Sequence, residues 1–343
     1  MKNFHTVIVG GGPGGLACAT LLARQGKDVL VLERNSAIGP KVCAGGIPFL
    51  AQSLGFPKTL WERSFTRQHI SSNWQQGIIQ SAAPIVRTVD RGRLGRWMEG
   101  RALAAGVSIL TNTLVLKITE NRVVTRGDIE FGYDFLVGAD GSSSLVRRQL
   151  GIPTEKMGVG INYHVPGNFP EMQWHLNTDL FGNGYAWIFP HQDSASIGVY
   201  ARRSTSKPGM LLNSLHQWAA RHNLELKSRQ PQAALINSDF RGWRFNNRFL
   251  IGDAAGLASG LTGEGIYSAI VSGEEVARTI LDSGYESKKM ARIITRHRQH
   301  SRILDLASGS KLGGKLVLEG LIFCLRAKLI PFSALEMGMD QPS

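Results

Sequence analysis

Cysteine is scarce in this chain of 343 residues: Cys18, Cys43 and Cys324 lie far apart and form no C-x-x-C pair. A disulfide framework and a structural zinc site are therefore disfavoured, no metal is expected, and a reducing compartment fits. Acidic residues are also few, 26 Asp and Glu against 39 Lys and Arg, leaving a formal net charge of +13. That imbalance implies an acidic partner, whether nucleic acid, anionic lipid or a phosphorylated substrate. The basic residues are scattered, with neither an RNA-binding signature nor a basic run interleaved with aromatics, so nucleic acid is not expected. No secretory signal or transit peptide precedes the first apolar run, and a cytoplasmic domain is expected. What is present is the composition of a soluble α/β enzyme, with 43% hydrophobic residues and 40 glycines. The length suits two intimately joined domains.

The chain is organised around Thr6-Val-Ile-Val-Gly10-Gly11-Gly12-Pro13-Gly14-Gly15-Leu16. A run of β-favouring residues enters a glycine cluster and leaves as a good helix sequence, so the stretch reads strand, tight turn, helix. Gly10, Gly12 and Gly15 fill the G-x-G-x-x-G frame. In that frame the first glycine permits the turn, the second lets backbone approach a pyrophosphate, and the third lets helix sit close on strand. A second strand, Asp28-Val-Leu-Val-Leu-Glu33, ends on an acid at the distance expected of a ribose-binding carboxylate.

Beyond this unit come further candidate sites. Gly39-Pro-Lys41-Val-Cys43-Ala44-Gly45-Gly46 reads either as a loop passing close to a planar cofactor with its thiol facing the same space, or as a loop burying a small hydrophobe. The polar, β-leaning run from Trp61 to Val89 is expected to visit a second sheet. Asp90 should cap a helix from Arg91 to Ala105, with Leu94, Trp97, Met98 and Leu103 buried. Arg91, in its first turn, is either a solvated charge or a contact to a cofactor. The apolar strand ending in Gly138-Ala-Asp140-Gly141 places a carboxylate at a strand's carboxyl end, where open sheets bind ligands. Residues 157–245 read as strand-rich. Within them Tyr185, Trp187 and Phe189 share one sheet face by period two, suiting either a plain core or the wall of an apolar site. Gly252-Asp253 again ends a strand, and Gly263-Glu264-Gly265-Ile266 opens a helix to about Leu281.

Two helical segments close the chain, Ser287 to Leu306 and Lys315 to Ile330. In the second, Leu318, Leu321, Ile322, Leu325 and Leu329 share one face, flanked by Lys315, Arg326 and Lys328. It is too short and too charged to span a bilayer. It suits either a membrane surface or the closure of the substrate domain.

Taken together, these motifs resemble the flavoprotein monooxygenase-like superfamily: the Gly10 to Gly15 frame with Glu33, Gly138-Ala-Asp140-Gly141-x-x-Ser144-x-Val146-Arg147, and Gly252-Asp253. Within it the chain resembles the geranylgeranyl reductase family. The resemblance rests on Lys41-Val-Cys43-Ala-Gly45-Gly46, Val89-Asp90-Arg91-x-x-Leu94, Gly184-Tyr185-Ala-Trp187-Ile-Phe189-Pro190 and Leu261-Thr262-Gly263-Glu264-Gly265-Ile266-Tyr267, over roughly residues 5–282. Ala44 stands where the family has a third glycine, and His191 where it has a lysine.

The resemblance implies a Rossmann-like FAD-binding domain (residues 1–58, 91–155 and 246–285) interleaved with a β-sheet substrate domain (59–90 and 156–245), followed by a C-terminal helical segment (286–343). It implies non-covalent FAD held by Gly10, Gly12, Pro13, Gly14, Gly15, Glu33 and Arg34, by Cys43, Ala44 and Gly45, by Arg91 and Asp140, and by Gly252, Asp253, Gly263, Gly265 and Ile266. Cys43, Tyr185 and Trp187 are the residues expected at the chemistry. A second nucleotide fingerprint is missing, so NAD(P)H or a redox protein is expected as a transient reductant. The expected activity is reduction of double bonds in a prenyl or other apolar chain, with an anionic membrane surface on the inner face as a candidate partner. A flavin monooxygenase or halogenase is the rival reading, weakened by the Cys43 loop and the lack of a Trp-x-Trp-x-Ile-Pro stretch. A non-catalytic flavin electron carrier is the third.

Overall fold

The computed structural model describes residues 2–203 and 208–338. The sequence-expected substrate segment 156–245 and C-terminal segment 286–343 therefore each include residues outside the described ones.

The chain opens with β1 (Lys2–Val9), α1 (Pro13–Arg24) and β2 (Val29–Leu32). Buried Val7, Ile8 and all of β2 make the run hydrophobic on both faces, as a parallel sheet covered on both sides requires. The next passage is β3 (Gly46–Pro48), β4 (Trp61–Phe65), β5 (Arg67–Ser72), β6 (Gln76–Gln80) and β7 (Val86–Val89). Then comes α2 (Arg91–Ala104), capped by Asp90, whose carboxylate accepts from Arg93 N at 2.7 Å. The chain continues through β8 (Ser108–Leu110), β9 (Val115–Ile118), β10 (Arg122–Thr125), β11 (Glu130–Gly138) and α3 (Leu145–Gln149).

The second region is built from β12 (Met157–Pro166), β13 (Met172–Leu176), α4 (Thr178–Phe181), β14 (Tyr185–Pro190), β15 (Ser194–Arg202), α5 (Pro208–Arg221) and β16 (Gln232–Asn237). Re-entry to the first region comes through β17 (Arg244–Phe245), β18 (Arg248–Leu250), α6 (Gly252–Ala255) and α7 (Ile266–Leu281). The C-terminal part consists of α8 (Lys288–Ala307), α9 (Lys311–Arg326) and a 3-10 turn at Phe332–Leu335.

The first sheet runs β17-β18-β11-β1-β2-β8, with β10 and β9 added beside β11. The pairs β18/β11, β11/β1, β1/β2 and β2/β8 are parallel. α1 and α7 meet through glycine: a Cβ on Gly273 would lie 2.2 Å from Gly14 O, and one on Gly14 would lie 2.7 Å from Ala269 O. This closeness sets the two helices side by side.

The second sheet runs β16-β12-β15-β14-β13-β5-β6, antiparallel except for β13 with β5. Its period-two pleat sorts side chains onto two faces. One face packs Ile161, Tyr163, Ile188, Ile197 and Val199 against Leu211, Leu215 and Trp218 of α5. The other gathers Trp187, Phe189 and Tyr200 and faces the first sheet's strand ends. Gly198 lies opposite Trp187 in the ladder, and a Cβ there would come within 2.3 Å of the indole. The bare glycine makes room for the ring.

Several sequence expectations need correction. The 61–89 stretch serves two sheets: β5 and β6 extend the large antiparallel one, while β4 and β7 join β3 in a separate three-stranded sheet. α2 buries Leu94, Met98 and Ala102, whereas Leu103 is exposed, because the turn places Ala102 toward the core. α9 ends at Arg326, and Lys328 takes a left-handed φ of 56°. Leu329 therefore leaves the helix and is exposed, while Leu318, Ile322 and Leu325 are buried. The strand-rich 157–245 stretch also holds the amphipathic α5.

Candidate active site

The glycine turn after β1 is sterically committed. Gly10 has φ 107°, and a Cβ on it would sit 2.3 Å from Ala139 O; one on Gly15 would sit 2.2 Å from Gly10 O. Gly12 differs, with no atom within 4 Å of its Cβ position. It is the N-cap of α1, carries no side-chain cap, and precedes Pro13 in the first helical turn. Amides at a helix start without a cap and beside open space form an anion site. At the end of β2, Glu33 Oε2 accepts from Gly11 N at 2.8 Å and Oε1 from Asn35 N at 2.9 Å. Both oxygens are thus fixed by backbone, while Arg34 beside it is exposed.

Asp140 follows β11. Its Oδ2 accepts from Leu145 N at 2.6 Å and Val146 N at 3.3 Å in the first turn of α3, whose N-cap is Ser144. Its Oδ1 is buried without a partner among the described residues, and burial pushes its pKa up. Arg91 Nε is likewise buried and unpartnered. Asp253, in the first turn of α6, has its Oδ2 at 3.1 Å from both Lys41 Nζ and Ser142 Oγ. Gly252 takes a φ of 50° against Ala269. Gly263 takes 69°, which carries the chain past Gly265 into Ile266 at the start of α7.

The Cys43 loop packs on the aromatic face of the second sheet. Cys43 Sγ accepts from Gly45 N at 3.4 Å. His191 holds the loop from below, with Nε2 at 3.0 Å from Ala44 O and Nδ1 at 2.6 Å from Glu62 Oε2. A Cβ on Gly45 would strike the His191 ring at 2.6 Å, so the glycine is needed for loop and imidazole to meet. The Tyr185 hydroxyl donates to Thr262 O, and Trp187 Nε1 donates to Ser196 Oγ at 3.1 Å. Trp174 lies beside Tyr185 and Phe332, with ring centroids at 5.6 and 5.5 Å.

All the candidate residues lie on the wall of one cavity of about 1390 Å³. It runs from the Gly12 turn, past Arg91 and Asp253, to the chamber of Trp174, Tyr185, Trp187, Phe189 and Tyr200. The residues present fit an extended dinucleotide. The helix start over Gly12 is open to a pyrophosphate, Arg91 Nε lacks a partner among the described residues, and the deep end is lined by aromatic rings.

Sequence reasoning passed over three features of this wall. Lys41 and Ser142 reach Asp253, although both stood inside quoted motifs. Glu264 lies between the glycines of the α7 turn, with Oε2 accepting from Met337 N at 2.8 Å and Oε1 buried without a partner among the described residues. The segment around Phe332, Leu335 and Glu336 also lines the cavity, and no local sequence signal places it there. Arg147 proves structural: it is buried and bound to Pro153 O at 2.8 Å and Asp239 O at 2.7 Å.

A parallel-sheet nucleotide groove that opens into an aromatic chamber under an antiparallel sheet defines a class, the two-region flavoprotein oxidoreductases. The chain belongs to the FAD binding domain family, which it matches over residues 3–283. It is similar to digeranylgeranylglycerophospholipid reductase 1 of Methanopyrus kandleri, 27% identical over 326 residues that cover 86% of this chain and 85% of that one. Among solved structures it resembles a geranylgeranyl bacteriochlorophyll reductase-like protein from Thermoplasma acidophilum, with a TM-score of 0.74, 20% identity, and 90% and 92% of the two chains covered. It also resembles a probable FAD-dependent monooxygenase from Pseudomonas aeruginosa, with a TM-score of 0.71, 17% identity, and 94% and 100% covered. The likeness to the solved structures shows the fold, a Rossmann-like region interleaved with a β-sheet region and followed by C-terminal helices.

Proposed function

We propose that the protein is an FAD-dependent reductase that saturates carbon–carbon double bonds of a prenyl or similarly apolar chain. The observation that carries this reading is the continuity of the nucleotide groove with a chamber walled by Trp174, Tyr185, Trp187, Phe189 and Tyr200. Such a wall rewards apolar surface and offers few polar partners for orienting a hydrophilic substrate. The names of the curated relatives support the same substrate class.

FAD, when bound, supplies the hydride chemistry. Gly12, Pro13 and the first-turn amides of α1 would hold its pyrophosphate, Glu33 a ribose, Arg91 and Asp253 the central part, and the Gly263 to Ile266 turn the ring. The Cys43–Gly45 loop would lie beside the ring, and the aromatic face would exclude water and align the chain. NAD(P)H or a redox protein would deliver electrons transiently.

The C-terminal helices favour a peripheral membrane contact. Leu306, Leu312, Leu316, Phe323 and Leu329 are 54–70% exposed, beside Lys311 and Lys328. Among the described residues no helix is long and apolar enough to cross a membrane, so the contact would lie at an anionic surface.

A flavin monooxygenase is the second reading, favoured by the shared fold with the Pseudomonas protein. Spectroscopy separates them. Anaerobic addition of a polyprenyl acceptor to the chemically reduced, flavin-loaded protein should restore the oxidised flavin spectrum. A spectrum that returns only when oxygen is admitted would sink the reductase reading. The same assay on Cys43→Ser tests the thiol, and an undiminished rate would remove it from the chemistry.

A further inference from the structure

The Cys43–Gly45 loop is gripped at the far end of β14. Phe189 and His191 stand at alternate positions there and meet consecutive glycines: a Cβ on Gly46 would lie 2.6 Å from the Phe189 ring, and one on Gly45 would lie 2.6 Å from His191 Cε1. Backbone bonds fix the corner on both sides, Val89 N to Gly45 O at 3.0 Å and His191 N to Ser194 O at 2.8 Å. Thr88 Oγ1 ties β7 to the same corner by donating to Pro190 O at 2.9 Å.

The His191 imidazole is buried and faces an oxygen at each nitrogen, Glu62 Oε2 at 2.6 Å from Nδ1 and Ala44 O at 3.0 Å from Nε2. A carboxylate and a carbonyl only accept, whereas a neutral imidazole has a single N–H. One of the two contacts would then set lone pair against lone pair. An imidazole is more basic than a carboxylate, so the proton between His191 and Glu62 resides on Nδ1. The Ala44 contact needs a second proton, on Nε2. The carboxylate at 2.6 Å compensates the charge that the buried ring then carries.

The other imidazole at this corner is His164 of β12, its ring centroid 5.8 Å from that of His191. Its pKa is lowered by burial and then by His191, while Asp90 at the cap of α2 and Glu62 act in the opposite sense. Resting on the reading that places the Cys43–Gly45 loop beside the flavin, we propose that His191 is the positioning residue of this loop. As a doubly protonated imidazolium anchored by Glu62, it donates to Ala44 O and keeps Cys43 on the wall of the chamber. It acts through the loop, and its role requires no contact with the substrate.

The first test is NMR of the histidine ring nitrogens in flavin-loaded protein at neutral pH. The His191 signals, assigned by their loss in His191→Leu, should show both nitrogens protonated. Gly45→Ala puts a carbon where the ring stands and should push Ala44 O off Nε2. Nε2 should then lose its proton while Nδ1 keeps its own on Glu62. A single protonated nitrogen in wild type would overturn the proposal.

The second test is alkylation of Cys43 by iodoacetamide in a Cys324→Ser background, where Cys18 is buried. Losing a hydrogen bond from a charged donor should release the loop and speed alkylation by about 10- to 100-fold in His191→Leu. Gly45→Ala should do the same with His191 intact, and the double variant should be no faster than either single one. Wild-type alkylation in both single variants, or effects that add, would overturn the proposal. Should His191→Leu not fold, the NMR of wild type and Gly45→Ala decides it. Anaerobic turnover of geranylgeranyl diphosphate per bound flavin should fall in both variants. If wild type saturates no prenyl chain, the reductase reading falls, while NMR and alkylation still decide the role of His191.

Discussion

Lys41 Nζ lies 3.1 Å from Asp253 Oδ2, joining the loop after β2 to the first turn of α6 across the candidate cofactor groove. Asp253 is nearly buried and Lys41 half exposed, so the pair fixes the carboxylate more than the ammonium. Asp253→Ala removes the acceptor shared by Lys41 and Ser142. A lost charge-assisted hydrogen bond costs about 1.5–3 kcal/mol, roughly 10- to 150-fold in affinity. Flavin-to-protein ratio after gel filtration should drop accordingly, with a smaller drop in Lys41→Met. Full occupancy in Asp253→Ala would remove this carboxylate from the cofactor site.

The two ends of the glycine frame should behave differently. The Cβ position of Gly12 meets nothing within 4 Å, so Gly12→Val should keep the thermal stability of the flavin-free protein and lose flavin. Gly15→Val must displace Gly10 O, 2.2 Å from the new carbon, and should destabilise the fold itself. Calorimetry of both variants without flavin checks the contrast; equal stabilities would contradict it.

Burial makes the protein acid-sensitive through histidine. His175 is lowered from 6.5 to about 3, by burial and then by His222 and His69, and His300 is lowered to about 4, chiefly by burial. The unfolded chain takes up protons below pH 6.5 that the native protein refuses. Their contribution is complete above pH 6.5 and is lost as pH falls toward 3–4, by about 1.4 kcal/mol per unit for each imidazole. Denaturant midpoints should fall across that window, less steeply in His175→Gln. A flat profile would show that these imidazoles are hydrated in solution.

Vesicle flotation tests the C-terminal surface. Each Lys or Arg near an anionic bilayer contributes about 1 kcal/mol, screened by salt. Flotation should require anionic lipid, weaken with salt, and fall in Phe323→Glu and Leu316→Glu. Flotation independent of lipid charge, or none by folded protein, would count against this surface.

What could be read from the sequence was what is local. The Gly10–Gly15 turn, the Asp90 cap and the alternation of Tyr185, Trp187 and Phe189 each depend on neighbours a few residues away, and each has the expected local form. Leu329 was misplaced because helical periodicity cannot see the left-handed Lys328 that ends the helix. The β3-β7-β4 sheet and the return of Phe332 and Met337 into the cavity depend on contacts far apart in sequence. The surroundings of Glu264 could not be read locally, because they are assembled from α8 and the C-terminal segment as well as its own turn.

The central claim, that the chamber carries out reduction, is tested most directly by product mass. The reduced, flavin-loaded protein is incubated with a polyprenyl substrate, with and without dioxygen. The expected result is a gain of about two hydrogens per saturated bond that needs no oxygen, since each flavin cycle delivers one hydride. A product formed only with dioxygen, and heavier by an oxygen atom, would contradict the reductase and establish a monooxygenase.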